Sequence, residues 1–375
     1  MRFLVVAAGT AGHINPALAI ASELRSIVPE AEFLFVGAGR EMEKRLIPKE
    51  GFELKNLRVT GLARGFSGAD IRHNIETLNN LVAANAAAKK VVEEFRPDVV
   101  IGTGGYVCYP VIRAAARRKI PTVLHESNAE PGMANKLLSG TVTKMLVSFP
   151  NTEKRYYKPE RVVYTGTPMR GDFTAMTRQE ARRRLKLPDG VPLAVSFWGS
   201  LGARDMNRRM ADFIKLNEEN SASFPIRHIH ATGGGEEGFA YMQGFLKEAG
   251  VGELCATDLR PYINDMGTVM TAADLVICRS GASTLAELTG LGRASILVPS
   301  PNVTENHQEK NAMALQNGGC AVMIKESQAT GAGIYEAARQ ILSDTQRRSE
   351  MERNARKMGV PDARRKIAEL ILGLL

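Results

Sequence analysis

Short runs of consecutive apolar residues, rich in valine and isoleucine, recur along the chain between longer amphipathic stretches. The first series reads RFLVVAA, EFLFVGA, PDVVIGTGG, TVLHES, KMLVSF and RVVYTG, and the second reads PLAVSFWGS, IRHIHATGG, DLVICRSG, ASILVPS and AVMIKES. Strands that are apolar on both faces need cover on both, so this alternation predicts parallel sheets sandwiched between helices. The strands are too many for one open sheet of this length. The pattern therefore predicts an α/β chain of two Rossmann-like, doubly wound domains, with the break near YTGTPMRGDFTAMTRQEA, where Gly and Pro interrupt it. The last stretch, VPDARRKIAELILGLL, has a proline-aspartate start signal and then apolar residues at helical spacing, and it suits packing on either domain. Ligands of open parallel sheets sit outside the carboxyl ends of the strands. The chemistry is expected in the loops that follow those strands, in a cleft between the two domains.

Composition narrows this only a little. A chain of 375 residues, 44% hydrophobic and 24% charged, suits two globular domains. No apolar run approaches the ~20 residues of a membrane span, and a single arginine before the first strand does not read as a signal peptide. Cys108, Cys255, Cys278 and Cys320 show no paired spacing, which predicts free, mostly buried thiols in a reducing compartment. The net charge of +9 suits an anionic partner. With aromatics at 6% and no RNA-binding signature, nucleic acid is excluded in favour of an anionic membrane surface or a diphosphate ligand.

Three strands end in glycine turns: AAGTAGH (Gly9, Gly12), GTGGYV (Gly102, Gly104, Gly105) and WGSLGAR (Gly199, Gly202). Such turns expose backbone N–H groups to oxyanions, although tight strand-to-helix packing alone also accounts for them. No acidic residue stands where a dinucleotide ribose needs one, so a nicotinamide cofactor is disfavoured, and no other cofactor is called for. In the second half, DLVICRSGASTLAELTG predicts a strand and then a helix over Ala282–Gly290, whose free first-turn amides suit a diphosphate. Glu287, about one and a half turns in, suits a ribose diol; the alternative is a surface glutamate. Asn306, His307 and Gln308 open another helix after the next strand. In TVLHESNAEPGM, His125, Glu126 and Asn128 lie at a strand end, where Asn128 either bonds a sugar hydroxyl or makes an Asx turn. His228 and His230 share a strand face and read as packing residues, not metal ligands. There is no zinc-protease, nucleophile-elbow or P-loop motif, and no D-x-D pair to hold a metal, so no metal site is expected.

Eight segments together carry a family resemblance: AGTAGHINPALAIASEL, GTGGYVCYPVIRAA, PTVLHESNAEPGMANKLLS, YTGTPMR, GSLGARDMN, PYINDM, CRSGASTLAEL and VPSPNVTENHQEKNA. In order and spacing, over residues 1 to about 325, they resemble the MurG family of glycosyltransferase family 28. The resemblance implies a GT-B fold and an inverting, metal-independent transfer of N-acetylglucosamine from UDP-GlcNAc to undecaprenyl-diphosphate-linked muramyl-pentapeptide. It also implies a peripheral enzyme at the cytoplasmic face of the inner membrane. Residues 1–166, joined by a C-terminal helix from about 355 to 375, would take the acceptor, and 167–354 the donor. By motif, Thr10, Ala11 and Gly12 would contact the donor across the cleft. Asn128 would hold the sugar, and Arg170 and Ser200 the diphosphate. The Ile263 backbone would read uracil. Ala282, Ser283, Thr284, Leu285, Ala286 and Glu287 would bind diphosphate and ribose, and Gln308 the GlcNAc hydroxyls. The first two glycine loops, with Gly9, Gly12, Gly104 and Gly105, would take the acceptor's diphosphate. Ala8 and Ala11 replace family glycines in the first loop, and Leu201 replaces a usual glutamine in the third.

A sugar hydroxyl needs a base during attack. His13 follows the acceptor loop and imidazole titrates near neutrality, so it is the first candidate; the alternative is a helix-start histidine bonded to backbone or phosphate. Glu126 is the second. By the resemblance, Leu62 and Phe66 in a glycine-rich loop, aided by Arg64 and Arg72, would touch the membrane. Helical spacing of Ile71, Ile75, Leu78 and Val82 alone reads as a core-facing stripe, and the expectation is loop outward and stripe inward. A GT-B transferase for another lipid or small hydrophobic acceptor would keep the second-half motifs. An epimerase of the same fold would release product without acceptor, and a binding protein would not need His13.

Overall fold

The apolar runs become strands in the computed structural model, which describes residues 1–57, 83–169 and 176–375. In β1 (Arg2–Val6), Leu4 and Val6 face one side of the sheet, and Phe3 and Val5 the other. Alternation puts both sets in contact with helices, which is why the strand is apolar at consecutive positions. The chain continues through α1 (Ala11–Ile27), β2 (Glu32–Gly37), α2 (Glu41–Lys49) and β3 (Glu53–Asn56). Residues 83–95 are helical (α3), followed by β4 (Val99–Gly102), α4 (Cys108–Arg117), β5 (Thr122–Glu126), α5 (Met133–Leu138), β6 (Lys144–Val147) and β7 (Val162–Tyr164). All seven strands are parallel, in the order β3-β2-β1-β4-β5-β6-β7.

A second parallel sheet follows the same logic. It is built from α6 (Arg178–Arg184), β8 (Leu193–Phe197), α7 (Arg204–Glu219), β9 (Arg227–Ala231), α8 (Gly235–Glu248), β10 (Thr257–Arg260) and α9 (Met266–Ala272). Then come β11 (Leu275–Cys278), α10 (Ala282–Leu291), β12 (Ala294–Leu297), α11 (His307–Asn317), β13 (Ala321–Met323), α12 (Gly331–Ser343) and α13 (Thr345–Met358). Its strand order is β10-β9-β8-β11-β12-β13. The strands absent from the apolar series, β3 (ELKN) and β10 (TDLR), are the outer edges on one side of each sheet. An edge strand covers less of the core, so it can be polar.

The chain divides into two units, Met1–Arg170 with Asp362–Leu375, and Gly171–Pro361. The last helix, α14 (Ala363–Leu372), closes the first unit: Ile367, Ala368 and Ile371 are buried with Leu18, Ala21 and Leu24 of α1. The return comes later than residue 355, because Met351 and Ala355 of α13 are buried within the second unit. In each sheet the winding reverses beside the first strand, between β1 and β4 and between β8 and β11. Those are the positions where a doubly wound sheet opens a crevice for ligand. Three of the four cysteines are buried and all four are free thiols.

Candidate active site

In the first unit, both glycine loops lie at the winding reversal and pack on one another. Gly9 follows β1 with a φ of +98°, and Gly104 and Gly105 follow β4 at +119° and +90°. A Cβ on Gly104 would lie 2.6 Å from His13 Cδ2, and one on Gly105 2.7 Å from the Ala8 carbonyl oxygen. These two glycines are therefore required for close approach of the loops. Thr103 Oγ1 also donates to the His13 carbonyl at 2.7 Å.

His13 stands in the first turn of α1, behind Thr10 at the N-cap, and no side chain caps that helix. Its Nδ1 lies 2.9 Å from the Ala8 carbonyl. A carbonyl only accepts, so Nδ1 carries the proton and the neutral ring keeps its lone pair on Nε2. The amide of Gly9 is not open to a phosphate as the sequence suggests: it donates to Glu43 Oε1 at 2.8 Å. The start of α1, at Ala11 and Gly12, is left without a side-chain cap.

Glu126 requires a second correction. Its buried carboxylate accepts from Asn128 N and Nδ2 at 3.0 and 3.1 Å on one oxygen, and from Gly132 N and Asn135 Nδ2 at 2.9 and 2.8 Å on the other. Four donors occupy its lone pairs, so it fixes the loop after β5 and is not free to act as a base. Asn128, half-buried, is held in place by the same bonds. His125 is buried beside it. Its Nε2 donates to the Gly166 carbonyl at 3.0 Å, and burial lowers its pKa to about 4, so it is neutral.

In the second unit, α10 begins behind Gly281, which is extended, where an added Cβ would meet nothing within 4 Å, and which leaves the helix start without a side-chain cap. Of the predicted run, only Ala282, Ser283 and Thr284 offer first-turn amides. The Leu285 amide already donates to the Gly281 carbonyl, and its side chain is buried. Glu287 sits one turn further on the same helix. Its half-buried carboxyl has no hydrogen-bond partner among the described residues, and burial pushes its pKa up to about 7. Ser280 Oγ donates to the Gln308 carbonyl at 2.7 Å, and Asn311 Nδ2 donates to the Ser280 carbonyl at 3.2 Å, tying the starts of α10 and α11 together. The Ser300 amide donates to Gln308 Oε1 at 2.9 Å, which leaves the Gln308 NH2 as donor. Glu305 and Asn306, just before α11, both have left-handed backbone (φ +58° and +52°), a cost concentrated at functional sites.

The loop after β8 carries exposed Ser200 and Leu201, the latter 86% exposed. It interlocks with a glycine loop absent from the sequence reading, Gly233–Gly235, whose three residues all have positive φ. The Gly234 amide donates to the Ser200 carbonyl at 3.1 Å. The run TGGGEEG at the end of a predicted strand was the signal for it. Ile263, with its side chain buried, anchors the turn between β10 and α9. Arg170 and the segment 62–82 lie outside the described residues. His228 and His230 are buried and share the Ser196 hydroxyl, at 2.8 and 2.7 Å. Among the described residues no group of three or more His, Cys, Asp or Glu is placed to hold a metal ion.

Known proteins share this sequence and fold. Residues 3–147 match the glycosyltransferase family 28 N-terminal domain and 195–367 the family's C-terminal domain. The chain is 41% identical over 375 residues, 100% of its length and 98% of its relative's, to a protein of Acetivibrio thermocellus. That relative is named UDP-N-acetylglucosamine--N-acetylmuramyl-(pentapeptide) pyrophosphoryl-undecaprenol N-acetylglucosamine transferase. The chain belongs to glycosyltransferase family 28, in its MurG branch. The crystal structure of Acinetobacter baumannii MurG superposes with a TM-score of 0.80 at 26% identity, covering 99% of each chain. A UDP-GlcNAc 2-epimerase from Neisseria meningitidis, bound to UDP-GlcNAc, shares the fold at a TM-score of 0.64 and 15% identity, covering 100% of each chain. The two parallel-sheet units are thus of the GT-B type.

The packing of His13 against a glycine is directly testable in this family 28 protein. Gly104→Ala should cost about 1–3 kcal/mol in urea unfolding and shift the His13 ring resonances. Gly12→Ala, whose added Cβ meets only the Thr10 hydroxyl at 3.5 Å, should leave both near wild type.

Proposed function

We propose that this protein transfers N-acetylglucosamine from UDP-GlcNAc to the muramyl hydroxyl of undecaprenyl-diphosphate-linked muramyl-pentapeptide, in peptidoglycan synthesis. The names of full-length relatives supply the activity. The structural observation that carries it is Glu287, a carboxyl without a hydrogen-bond partner among the described residues, one turn beyond an uncapped helix start. That pairing suits a nucleoside diphosphate, with phosphates at the amides of Ala282–Thr284 and the ribose diol on the carboxylate. Ser200 and Arg170 are assigned to the diphosphate, the Ile263 backbone to uracil, and the Gln308 NH2 and Asn128 to the GlcNAc hydroxyls. Thr10, Ala11 and Gly12 serve ligand phosphates and the reacting sugar. The first unit takes the acceptor and the second the donor.

The acceptor oxygen attacks the anomeric carbon on the face opposite UDP. The new C–O bond forms as the bond to the β-phosphate oxygen breaks, and UDP leaves with the electron pair, inverting the centre. His13 Nε2 takes the hydroxyl proton and later passes it to solvent. Negative charge growing on the diphosphate meets the positive end of α10. This stabilisation, with no D-x-D pair in the chain, supports a metal-independent reaction.

Incubation with UDP-GlcNAc and a lipid-linked muramyl-peptide analogue in EDTA should yield the disaccharide lipid. His13→Ala should lower kcat about 100-fold or more with UDP binding intact. Loss of activity in EDTA overturns the metal-independent reading, sugar released without acceptor overturns the transferase reading, and unchanged His13→Ala turnover removes the base.

Glu287 also sets a pH dependence. Accepting two hydrogen bonds from a diol requires the ionised form, so UDP affinity should rise as pH passes upward through about 7, and Glu287→Gln should abolish that slope. Folding is linked with the opposite sign: a raised carboxyl adds stability below its ordinary value of 4.5, and that increment is lost as pH rises through about 7. A calorimetric UDP affinity that is flat across this range removes Glu287 from the diol.

The acceptor's lipid implies work at a membrane surface, and no helix among the described residues is long and apolar enough to cross one. Support for peripheral binding is the net charge of +9 and an exposed apolar pair on α5, Met133 and Leu137, each 50% exposed and flanking Lys136. Exposed Arg113 and Arg117 stand on the neighbouring α4. The protein should sediment with anionic vesicles and dissociate as salt rises. Replacing Met133 and Leu137 together by serine should weaken sedimentation without lowering the unfolding midpoint; undiminished binding overturns this surface.

A further inference from the structure

A carboxylate lies sealed beneath the loop that carries His13. Glu43, in the first turn of α2, has no exposed surface and forms no ion pair among the described residues. Its Oε2 accepts the amides of Gly39 and Arg40 at 2.8 and 3.1 Å, an ordinary helix-capping arrangement. A Cβ on Gly37 would sit 2.6 Å from the same oxygen, so the site is shaped closely around it. The other oxygen serves no part of the cap. Among the described residues Oε1 accepts only the Gly9 amide, 34 residues away on the loop after β1, at 2.8 Å.

The peptide that Glu43 grips is the one that holds the imidazole. The Gly9 N–H and the Ala8 C=O belong to a single peptide unit, and no described peptide bond is cis. In a planar trans peptide the two groups point in opposite directions. One side therefore meets Glu43 Oε1 at 2.8 Å, and the other meets His13 Nδ1 at 2.9 Å. We propose that Glu43 is a positioning residue for His13, acting through the Ala8–Gly9 peptide to fix the tautomer that leaves Nε2 bare and to strengthen it as a proton acceptor. The negative charge polarises the peptide, and the Ala8 carbonyl becomes a stronger acceptor from Nδ1–H. The gain is largest when the ring is an imidazolium, the form it takes as it removes the acceptor's proton. A carboxylate bonded directly to the imidazole would orient it equally well, but it would place a full negative charge where the acceptor's phosphates are to bind. Setting it one peptide back keeps it beneath the loop.

The remaining titratable groups around the loop do not compete for this role. His125 at the end of β5 acts on His13 electrostatically but stays neutral, with its pKa lowered to about 4 by burial. Glu126 is saturated by four donors. Cys108 of α4 is a thiol that burial pushes up to about 12.

The proposal rests on His13 as the base, and the test separates the two. In the full-length protein, ring nitrogen correlations should show neutral His13 protonated at Nδ1, and the Gly9 amide proton should move with His13 across the pH titration. In Glu43→Gln, the mixed tautomer should appear. The acid limb of the kcat profile should shift to lower pH by about half a unit, and plateau kcat should fall about 3- to 10-fold. KM for UDP-GlcNAc should stay within about twofold, because the residues assigned to uracil and ribose lie in the other unit, and Glu43→Asp should recover part of the loss. Should Glu43→Gln fail to fold, the wild-type titration decides: a Gly9 amide that ignores His13 overturns the relay. If His13→Ala is inactive while Glu43→Gln leaves tautomer and acid limb unchanged, the relay falls and the base stands. If His13→Ala turns over normally yet the His13 tautomer still follows Glu43, the base falls and the relay stands.

Discussion

Parallel pairing is the constraint from which the rest of the molecule follows. Neighbouring strands that run the same way must be joined by crossovers, so every strand of a sheet delivers its carboxyl end to one edge. In each unit that edge gathers the ends of β1 and β4, or of β8 and β11, beside the reversal of winding. Helices begin there with unsatisfied amides. Uncapped helix starts at both sheets are thus a product of topology, and residue choice then distinguishes them: an imidazole at α1 and a carboxyl at α10.

Loops at such an edge are short of internal bonds, and the first unit meets this with buried carboxylates used as struts. Glu126 gathers four donors from the turn after β5 and from α5, and Glu43 three from the turns after β1 and β2. Neither has a cationic partner among the described residues. The local amides carry the compensation, as an anion in a nest of N–H groups requires. The second unit uses glycine for the same end, with Gly202, Gly233 and Gly238 interlocked at distances that admit no side chain.

Much of the architecture was legible because burial on both faces leaves a simple sequence mark. Every apolar run became a strand, and the helix expected over Ala282–Gly290 runs from Ala282 to Leu291, ended by left-handed Gly292. The edge strands β3 and β10 carried no such mark. At the sites, residue type was legible and role was not. Glu126 and Glu287 are both acidic residues near strand ends, yet one is saturated by donors and the other has no partner among the described residues, a difference made by residues such as Asn135 that no local spacing reveals. Gly104 read as a phosphate turn, and its first duty is to admit the His13 ring. Glu43 was invisible because its decisive bond spans 34 residues.

The crossing of the chain back to its first unit has a consequence for biogenesis. The second unit is one continuous stretch, Gly171–Pro361, whereas the first waits for Asp362–Leu375 to complete it. On the ribosome, the later-made half has all its parts first, while the part of the α1 surface that packs on α14 stays bare until α14 emerges. The nascent chain thus carries an uncovered apolar patch on its first half until its last helix is made.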